Sequence, residues 1–145
     1  WQELPPLALT EQGKPYFPDV PAVHFSLSHT NGAVLAALSA APVGVDVERM
    51  RPVSARIMHR LADTQDPTAF FDHWVRREAL TKQNGMGVGA SLHREPESQA
   101  GVHCQALDLF PGYAAAVASE ESVGSLRRYT LASLLEPWMQ ERSIT

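Results

Sequence analysis

Alternating apolar and polar side chains predict three short strands in the first third of the chain. Residues 23–28 alternate strictly, and Asn31-Gly32 then gives a strong signal for a tight hairpin turn. Residues 33–39 fit the returning strand, and a Val-rich run at 43–48 fits a third strand. The pattern predicts an antiparallel meander of three strands that ends on the third.

The middle of the chain changes to helical spacing. Ser54 is a candidate N-cap for a short helix over 54–62. Asp66-Pro67 predicts the start of a longer helix, with Asp at the N-cap and Pro at the first position. Gly85 predicts its end, because glycine commonly follows the last helical residue. We expect this long helix to pack against the strands in an α+β fold.

The last third predicts a second hairpin and a tail. The segment 85–100 is rich in Gly, Ser and polar residues, so we expect a loop there. Strands over 102–110 and 113–118 flank a Pro-Gly turn. From about residue 125 the tail has leucines at helical spacing, and we expect Pro137 to interrupt that helix.

Three carboxylates and a lysine fall on two of these elements. Asp46 and Glu48 lie two apart on the third strand, so their side chains share one face. Adjacent carboxylates repel unless a cation lies between them, and Mg²⁺ prefers oxygen ligands. Glu78 and Lys82 lie four apart on the long helix and share one side of it. A metal beside a lysine is an arrangement typical of phosphate chemistry.

Each of these residues also has a simpler structural interpretation. Asp46 and Glu48 would be unremarkable if they lay exposed on an edge strand. Glu78 and Lys82 would then form an ordinary ion pair on a helix surface. His29 is a lone histidine, and these are more often structural than functional. Cys104 has no metal-ligand partner at a suitable spacing, so we expect it to be buried.

Composition narrows the class of protein. A chain of 145 residues with 44% hydrophobic residues suits one compact domain with a core. Its net charge of −4 gives no support for nucleic-acid binding. One cysteine excludes an intrachain disulfide and fits a cytoplasmic protein, and no apolar stretch is long enough to span a membrane. Because the chain begins at Trp1, we expect it to be part of a longer translation product.

Four short motifs together resemble a known family. They are Gly13-Lys14-Pro15, Phe25 to Thr30, Val43 to Glu48, and Phe71 to Gly85. In order and spacing they are similar to the 4′-phosphopantetheinyl transferases of the surfactin-synthetase-activating type, and to bacterial holo-acyl-carrier-protein synthases. The resemblance covers residues 12–88 and implies the family's α+β fold, an antiparallel sheet packed against a long helix.

The resemblance also implies a division of the chain. Members of this family are pseudo-dimers of two similar halves, with the active site between the halves. Residues 1–40 would be the end of the N-terminal half, a loop and hairpin, and residues 41–145 would be the C-terminal half. We therefore expect a missing N-terminal segment, a separate fragment that stays bound, or self-association of the chain.

The family's reaction moves the 4′-phosphopantetheine arm of coenzyme A to a serine of an apo acyl or peptidyl carrier protein and releases 3′,5′-ADP. By resemblance, Asp46, Glu48 and Glu78 would hold Mg²⁺. Glu78 would also serve as the general base or position it, and Lys82 would bind the phosphates. The remaining coenzyme A contacts implied by the resemblance are Gly13, Lys14, Pro15, Ser28 and His29.

The implied partner is acidic, because carrier proteins usually carry acidic side chains around the modified serine. Arginines near the proposed site are therefore expected to steer this partner despite the negative total charge. They are Arg49, Arg51, Arg56, Arg76 and Arg77. Two alternatives stay open: a different metal-dependent phosphoryl-transfer or nuclease enzyme, and a non-catalytic remnant that binds carrier proteins.

Overall fold

The computed structural model describes residues 5–87 and 101–141. The described residues form an α+β arrangement, which confirms the predicted class, and within them no helix is long and apolar enough to cross a membrane. In chain order the elements are β1 (Ala8–Leu9), β2 (Pro15–Tyr16), β3 (His24–Thr30), β4 (Ala33–Ser39), β5 (Val43–Arg49), α1 (Ala55–Ala62), α2 (Pro67–Asn84), β6 (His103–Ala106), β7 (Tyr113–Ser119) and α3 (Leu131–Glu141).

An antiparallel sheet in the order β5-β7-β6 forms the centre of the molecule. The long helix α2 covers one face of this sheet, where Val75 and Ala79 pack on Ala116 and Ala118. These side chains are small, so the helix approaches the strands closely. The predicted packing of an antiparallel sheet against a long helix is confirmed.

The other face of the sheet packs against the β3–β4 hairpin. Leu35 of the hairpin is the buried residue that joins the valines of β5 in this second apolar layer. Its buried members are Leu35, Val43, Val45, Val47, Ala115 and Val117. The valines of β5 therefore share the face that packs on the hairpin, while Gly44, Asp46 and Glu48 share the face toward α2.

The predicted first hairpin is confirmed, but the predicted three-stranded meander is wrong. β3 pairs with β4 in antiparallel register, whereas β5 pairs with β7. Toward β3, β5 meets side chains instead of backbone. The hydroxyls of Ser26 and Ser28 accept the N–H groups of Val45 and Val47. Because these hydroxyls satisfy the backbone donors, β5 needs no second ladder on this edge.

The predicted helix starts and the end of α2 are confirmed. Ser54 caps α1, and its hydroxyl accepts the N–H of Ile57. The Asp66 carboxylate accepts the N–H groups of Thr68 and Ala69 at the start of α2. At the other end, Gly85 adopts the left-handed conformation with φ 72°, which glycine tolerates without strain.

The C-terminal part follows the sequence prediction less closely. β6 is shorter than the predicted strand over 102–110, although its antiparallel pairing with β7 confirms the second hairpin. α3 continues past Pro137 to Glu141, so the predicted interruption is wrong; the φ angle of proline is compatible with helical backbone. Most of the predicted loop over 85–100 lies outside the described residues. The division of the chain after residue 40 stays a prediction.

Candidate active site

The acidic side chains of β5 lie under α2 because of strand alternation and one glycine. Gly44, Asp46 and Glu48 occupy every second position and share a face. A Cβ at Gly44 would lie 2.0 Å from the carbonyl oxygen of Ala79 and 2.3 Å from the backbone nitrogen of Gln83. No side chain fits there, so α2 contacts the strand directly and its last turns lie over the acidic positions.

Asp46 is the centre of this arrangement. Its carboxylate is buried, and one oxygen, Oδ1, accepts two bonds: from the Ser28 hydroxyl at 2.8 Å and from the Lys82 ammonium at 2.7 Å. The other oxygen, Oδ2, is buried and has no hydrogen-bond partner among the described residues. A buried carboxylate oxygen without a partner is costly, and a bound cation would remove that cost. Among the described residues, Oδ2 of Asp46 is therefore a candidate ligand atom for a hard divalent cation.

Glu48 lies nearer the open end of the strand. One of its carboxylate oxygens is 3.3 Å from the Arg51 guanidinium, and it also accepts a 3.4 Å bond from the Thr30 hydroxyl. The side chain of Glu48 is 26% exposed, so water or a ligand can reach it. The shared face of the strand therefore carries one enclosed carboxylate, Asp46, and one accessible carboxylate, Glu48.

Glu78 lies on α2, the helix that packs on β5 at Gly44. The helix runs antiparallel to β5, since Ala79 lies against Gly44 near one end while the Arg51 guanidinium lies over the Phe71 ring near the other. Glu78 lies between these contacts, one helical turn before the lysine, and is buried. Among residues 5–87 and 101–141, however, no three His, Cys, Asp or Glu side chains lie close enough together to hold a metal ion. The three-carboxylate Mg²⁺ set stays a prediction.

The two predicted coenzyme A contacts on β3 face opposite ways. Ser28 is buried and bonds Asp46, while its neighbour His29 is exposed on the outer face of the hairpin. Successive strand residues point to opposite faces, so the two side chains reach a shared ligand only at the end of the strand. Sequence reasoning chose Ser28 for phosphate contact but missed its bond to Asp46.

The Gly13-Lys14-Pro15 motif forms a turn into β2, and its lysine points inward. Gly13 has a φ of 84°, which glycine readily adopts. The Lys14 ammonium donates to the carbonyl of Gln83 at 2.9 Å and to that of Val43 at 3.4 Å. Burial lowers the pKa of this ammonium from its ordinary value. Sequence reasoning gave Lys14 a ligand contact and missed both backbone contacts.

The five arginines expected to steer a partner differ in their burial and in their contacts. Arg77 is buried in α2. Arg76 pairs with Asp72 at 2.9 Å and donates to the carbonyl of Cys104, which fastens β6 to the helix. The other three, Arg49, Arg51 and Arg56, are exposed, so only part of the predicted positive surface faces solvent.

Comparison with protein-family models finds no match, but curated proteins do match. The chain is 30% identical to the 4′-phosphopantetheinyl transferase Sfp of Bacillus subtilis (strain 168), across 74% of this chain and 59% of that protein. It is 31% identical to the 4′-phosphopantetheinyl transferase AcpT of Escherichia coli O157:H7, across 73% and 64%. The chain belongs to the 4′-phosphopantetheinyl transferase superfamily.

This member of the 4′-phosphopantetheinyl transferase superfamily spans only part of its relatives. It covers 59% of Sfp, and 50% of the Salmonella typhi AcpT, to which it is 33% identical. The resemblance predicted from the four motifs is confirmed. All of these relatives are named as 4′-phosphopantetheinyl transferases.

Proposed function

We propose that this chain is a Mg²⁺-dependent 4′-phosphopantetheinyl transferase or a fragment of one. The substrates are coenzyme A and an apo acyl or peptidyl carrier protein, and 3′,5′-ADP is released. The observation that carries the proposal is the buried Asp46, whose Oδ1 binds Lys82 and Ser28 while its Oδ2 has no hydrogen-bond partner among the described residues. This arrangement occurs in a chain of the transferase superfamily, on the two elements that carry the family motifs.

In the proposed reaction, the carrier serine hydroxyl attacks the phosphorus that bears the pantetheine arm. A new phosphorus–oxygen bond forms to the serine, the bond to the leaving 3′,5′-ADP breaks, and the serine proton passes to a carboxylate. Glu78 is our candidate for that base or for the residue that positions it. Lys82 exchanges its bond to Asp46 for a phosphate oxygen and stabilises the developing charge. The hydroxyl of Ser28 and the ring of His29 are our candidates for further phosphate contacts.

Asp46, Glu48 and Glu78 would hold Mg²⁺, which supplies charge neutralisation at the pyrophosphate oxygens when it is bound. We propose that the backbone of the turn formed by Gly13, Lys14 and Pro15 lines the adenine end of coenzyme A, while the Lys14 ammonium keeps its bonds to the carbonyls of Gln83 and Val43. The turn lies beside the C-terminal end of α2, through the Lys14 contact with Gln83. On this proposal the nucleotide binds beside the last turn of α2 and the pyrophosphate binds at Asp46 and Lys82.

The test is transfer of a fluorescent coenzyme A analogue to an apo acyl carrier protein, with and without Mg²⁺. We expect metal-dependent labelling that falls by about 100-fold or more in Glu78→Ala and in Lys82→Met. Glu120→Ala is the matched control, because Glu120 is an exposed carboxylate beyond β7. Labelling that is equally fast in Glu78→Ala would exclude the assigned role of Glu78.

A second candidate function is carrier-protein binding without turnover. Two observations favour it. The chain covers only 59% of Sfp, and the outer face of the β3–β4 hairpin is apolar and exposed. On that face Leu27, Val34 and Leu38 are 56%, 78% and 75% exposed. One outcome is a folded chain that labels no carrier protein until it is fused to the N-terminal half of a relative. That outcome would identify an incomplete enzyme. Absent labelling in the fusion as well would favour the binding function.

A further inference from the structure

The two lysines of the chain, Lys14 and Lys82, both bridge the end of α2 and the strand β5. The Lys82 ammonium binds the Asp46 carboxylate at 2.7 Å. The Lys14 ammonium binds the carbonyls of Gln83 on the helix and Val43 on the strand, at 2.9 and 3.4 Å. Lys82 and Gln83 are neighbours, so the two cations hold consecutive residues of the last helical turn.

A cation is well suited to this position. The last four carbonyls of a helix lack intrahelical partners, and the carbonyl of Gln83 is one of them. The C-terminal end of a helix also carries partial negative charge, which an ammonium complements. Lys14 reaches this end across Gly85, where an added Cβ would lie 3.7 Å from the Lys14 side chain. Its contacts therefore stabilise the end of α2 at the place where the helix touches Gly44.

The position of Lys82 depends on this same turn. α2 has no residue beyond Asn84, so the backbone that carries Lys82 lies within the fraying end of the helix. The Lys82 side chain is 25% exposed, while the Asp46 side chain is 7% exposed. A turn that loosens would therefore let the Lys82 ammonium leave Asp46 for water.

We propose that Lys14 is a positioning residue, which fixes the last turn of α2 and thereby holds Lys82 over Asp46. Its consequence for catalysis rests on the proposed transferase function. The proposal differs from a direct ligand contact by the Lys14 ammonium, because both of the contacts given for that ammonium are to backbone carbonyls. Removal of the ammonium should then act on turnover through Lys82 and should leave coenzyme A affinity almost unchanged.

Two lysines make a direct test possible. Protein labelled with [15N]lysine gives one side-chain ammonium signal each for Lys14 and Lys82, and Lys14→Met leaves the Lys82 signal alone. Asp46→Asn supplies the reference signal of Lys82 without its carboxylate. We expect Lys14→Met to move the Lys82 signal toward that reference, with faster exchange of the ammonium hydrogens. This measurement needs neither coenzyme A nor a carrier protein.

Matched variants separate positioning from loss of charge. Lys14→Arg keeps a positive donor that can bond carbonyls, so the Lys82 signal should stay near its wild-type position. Arg60→Met removes an exposed charge from α1 and should leave the signal unchanged. If Lys14→Met does not fold, Lys14→Gln removes the charge while it keeps an N–H donor, and its Lys82 signal is compared in the same way.

Transfer kinetics complete the test. We expect Lys14→Met to lower kcat by about tenfold or more, since small misplacements of catalytic groups have such effects, with KM for coenzyme A within about twofold. An unmoved Lys82 signal in both Lys14→Met and Lys14→Gln would overturn the proposal, and a raised KM with unchanged kcat would assign Lys14 to direct binding. If the wild-type chain transfers nothing, the transferase proposal fails while the Lys82 signal still decides whether Lys14 positions that lysine.

Discussion

The two long edges of β5 are satisfied by different chemistry. Along one edge, backbone hydrogen bonds pair the strand with β7 over its whole length. Along the other edge, the hydroxyls of β3 accept the backbone N–H groups. The distances from Ser26, Ser28 and Thr30 to the N–H nitrogens of Val45, Val47 and Arg49 are 3.1, 3.2 and 3.3 Å.

This difference links the hairpin to the candidate active site. A backbone ladder consumes its donors and acceptors within the sheet and has none left for a side chain on the neighbouring strand. A hydroxyl both accepts and donates, so Ser28 accepts from Val47 and donates to Asp46. The Val43 carbonyl near the start of the strand accepts from the Lys14 ammonium instead. The Ser28 hydroxyl therefore both attaches the hairpin to β5 and contacts the carboxylate of the candidate site.

The largest effect is expected from displacing α2, which packs on the face of β5 between these two edges. Gly44→Ala places a Cβ 2.0 Å from the Ala79 carbonyl oxygen and 2.3 Å from the Gln83 backbone nitrogen, so the backbone of α2 must move away from the strand. We expect a loss of about 3 kcal/mol in the free energy of unfolding, together with loss of transfer activity. Urea unfolding monitored by circular dichroism measures the loss.

Gly124→Ala is the matched control for this prediction. An added Cβ at Gly124 meets nothing within 4 Å, so the same chemical change should leave stability almost unchanged. Equal stability of the two alanine variants would show that α2 does not press on β5 at Gly44.

Substitution of two serines tests the hydroxyl edge, the edge of β5 whose N–H groups donate to hydroxyls of β3. Ser26→Ala removes the acceptor of the Val45 N–H, and we expect a loss of about 1 kcal/mol in unfolding free energy. Ser28→Ala removes the acceptor of Val47 and the donor to Asp46, and we expect about 2 kcal/mol. Thermal and urea unfolding of both variants provide these values.

A double-mutant cycle sharpens this distinction. Ser28→Ala and Asp46→Asn should be strongly non-additive, because they remove opposite ends of one hydrogen bond. Ser26→Ala and Asp46→Asn share no contact given by the structure and should add. Additive behaviour in both cycles would mean that the hydroxyl edge and the site are energetically separate.

The sequence allowed accurate prediction wherever the signal and its structural effect lie close together in the chain. Ser54, Asp66-Pro67 and Gly85 each act on backbone within a few residues, and the helix ends fall where these residues predicted. Strand pairing was harder. Alternation identified β5 as a strand, but nothing within residues 43–49 specifies β7 as its partner rather than the preceding β4.

The candidate site shows the same limit. The spacing of Asp46 and Glu48, and that of Glu78 and Lys82, predicted shared faces, and the Lys82–Asp46 ion pair agrees with the expected apposition of helix and strand. The Ser28–Asp46 bond was not predicted, because it joins residues of two strands without a shared ladder. The Lys14 contact with Gln83 spans 69 positions, and no local pattern records it.

A smaller effect tests the other edge of β5, where backbone hydrogen bonds continue through β7 to the outermost strand β6. Cys104 lies on β6, where its thiol donates to the carbonyl of Arg76 at 3.6 Å while the Arg76 guanidinium donates to the Cys104 carbonyl at 2.9 Å. Burial raises the pKa of this thiol above its usual value of 9.0, and the nearby Arg76 charge opposes the rise. The folded protein thus holds the thiol proton more tightly than the unfolded chain does.

The sign of the pH dependence follows from this raised pKa. The stability that the protonated thiol contributes is fully present below the unfolded pKa and is lost as pH rises through the folded pKa. We expect the unfolding free energy of the wild-type chain to fall relative to that of Cys104→Ala as pH rises above 9.0. This fall should be smaller than the loss of unfolding free energy predicted for Ser26→Ala or Ser28→Ala. Unfolding curves of the two proteins across this range measure the difference. A constant difference at all pH values would mean that β6 does not bury the thiol against α2.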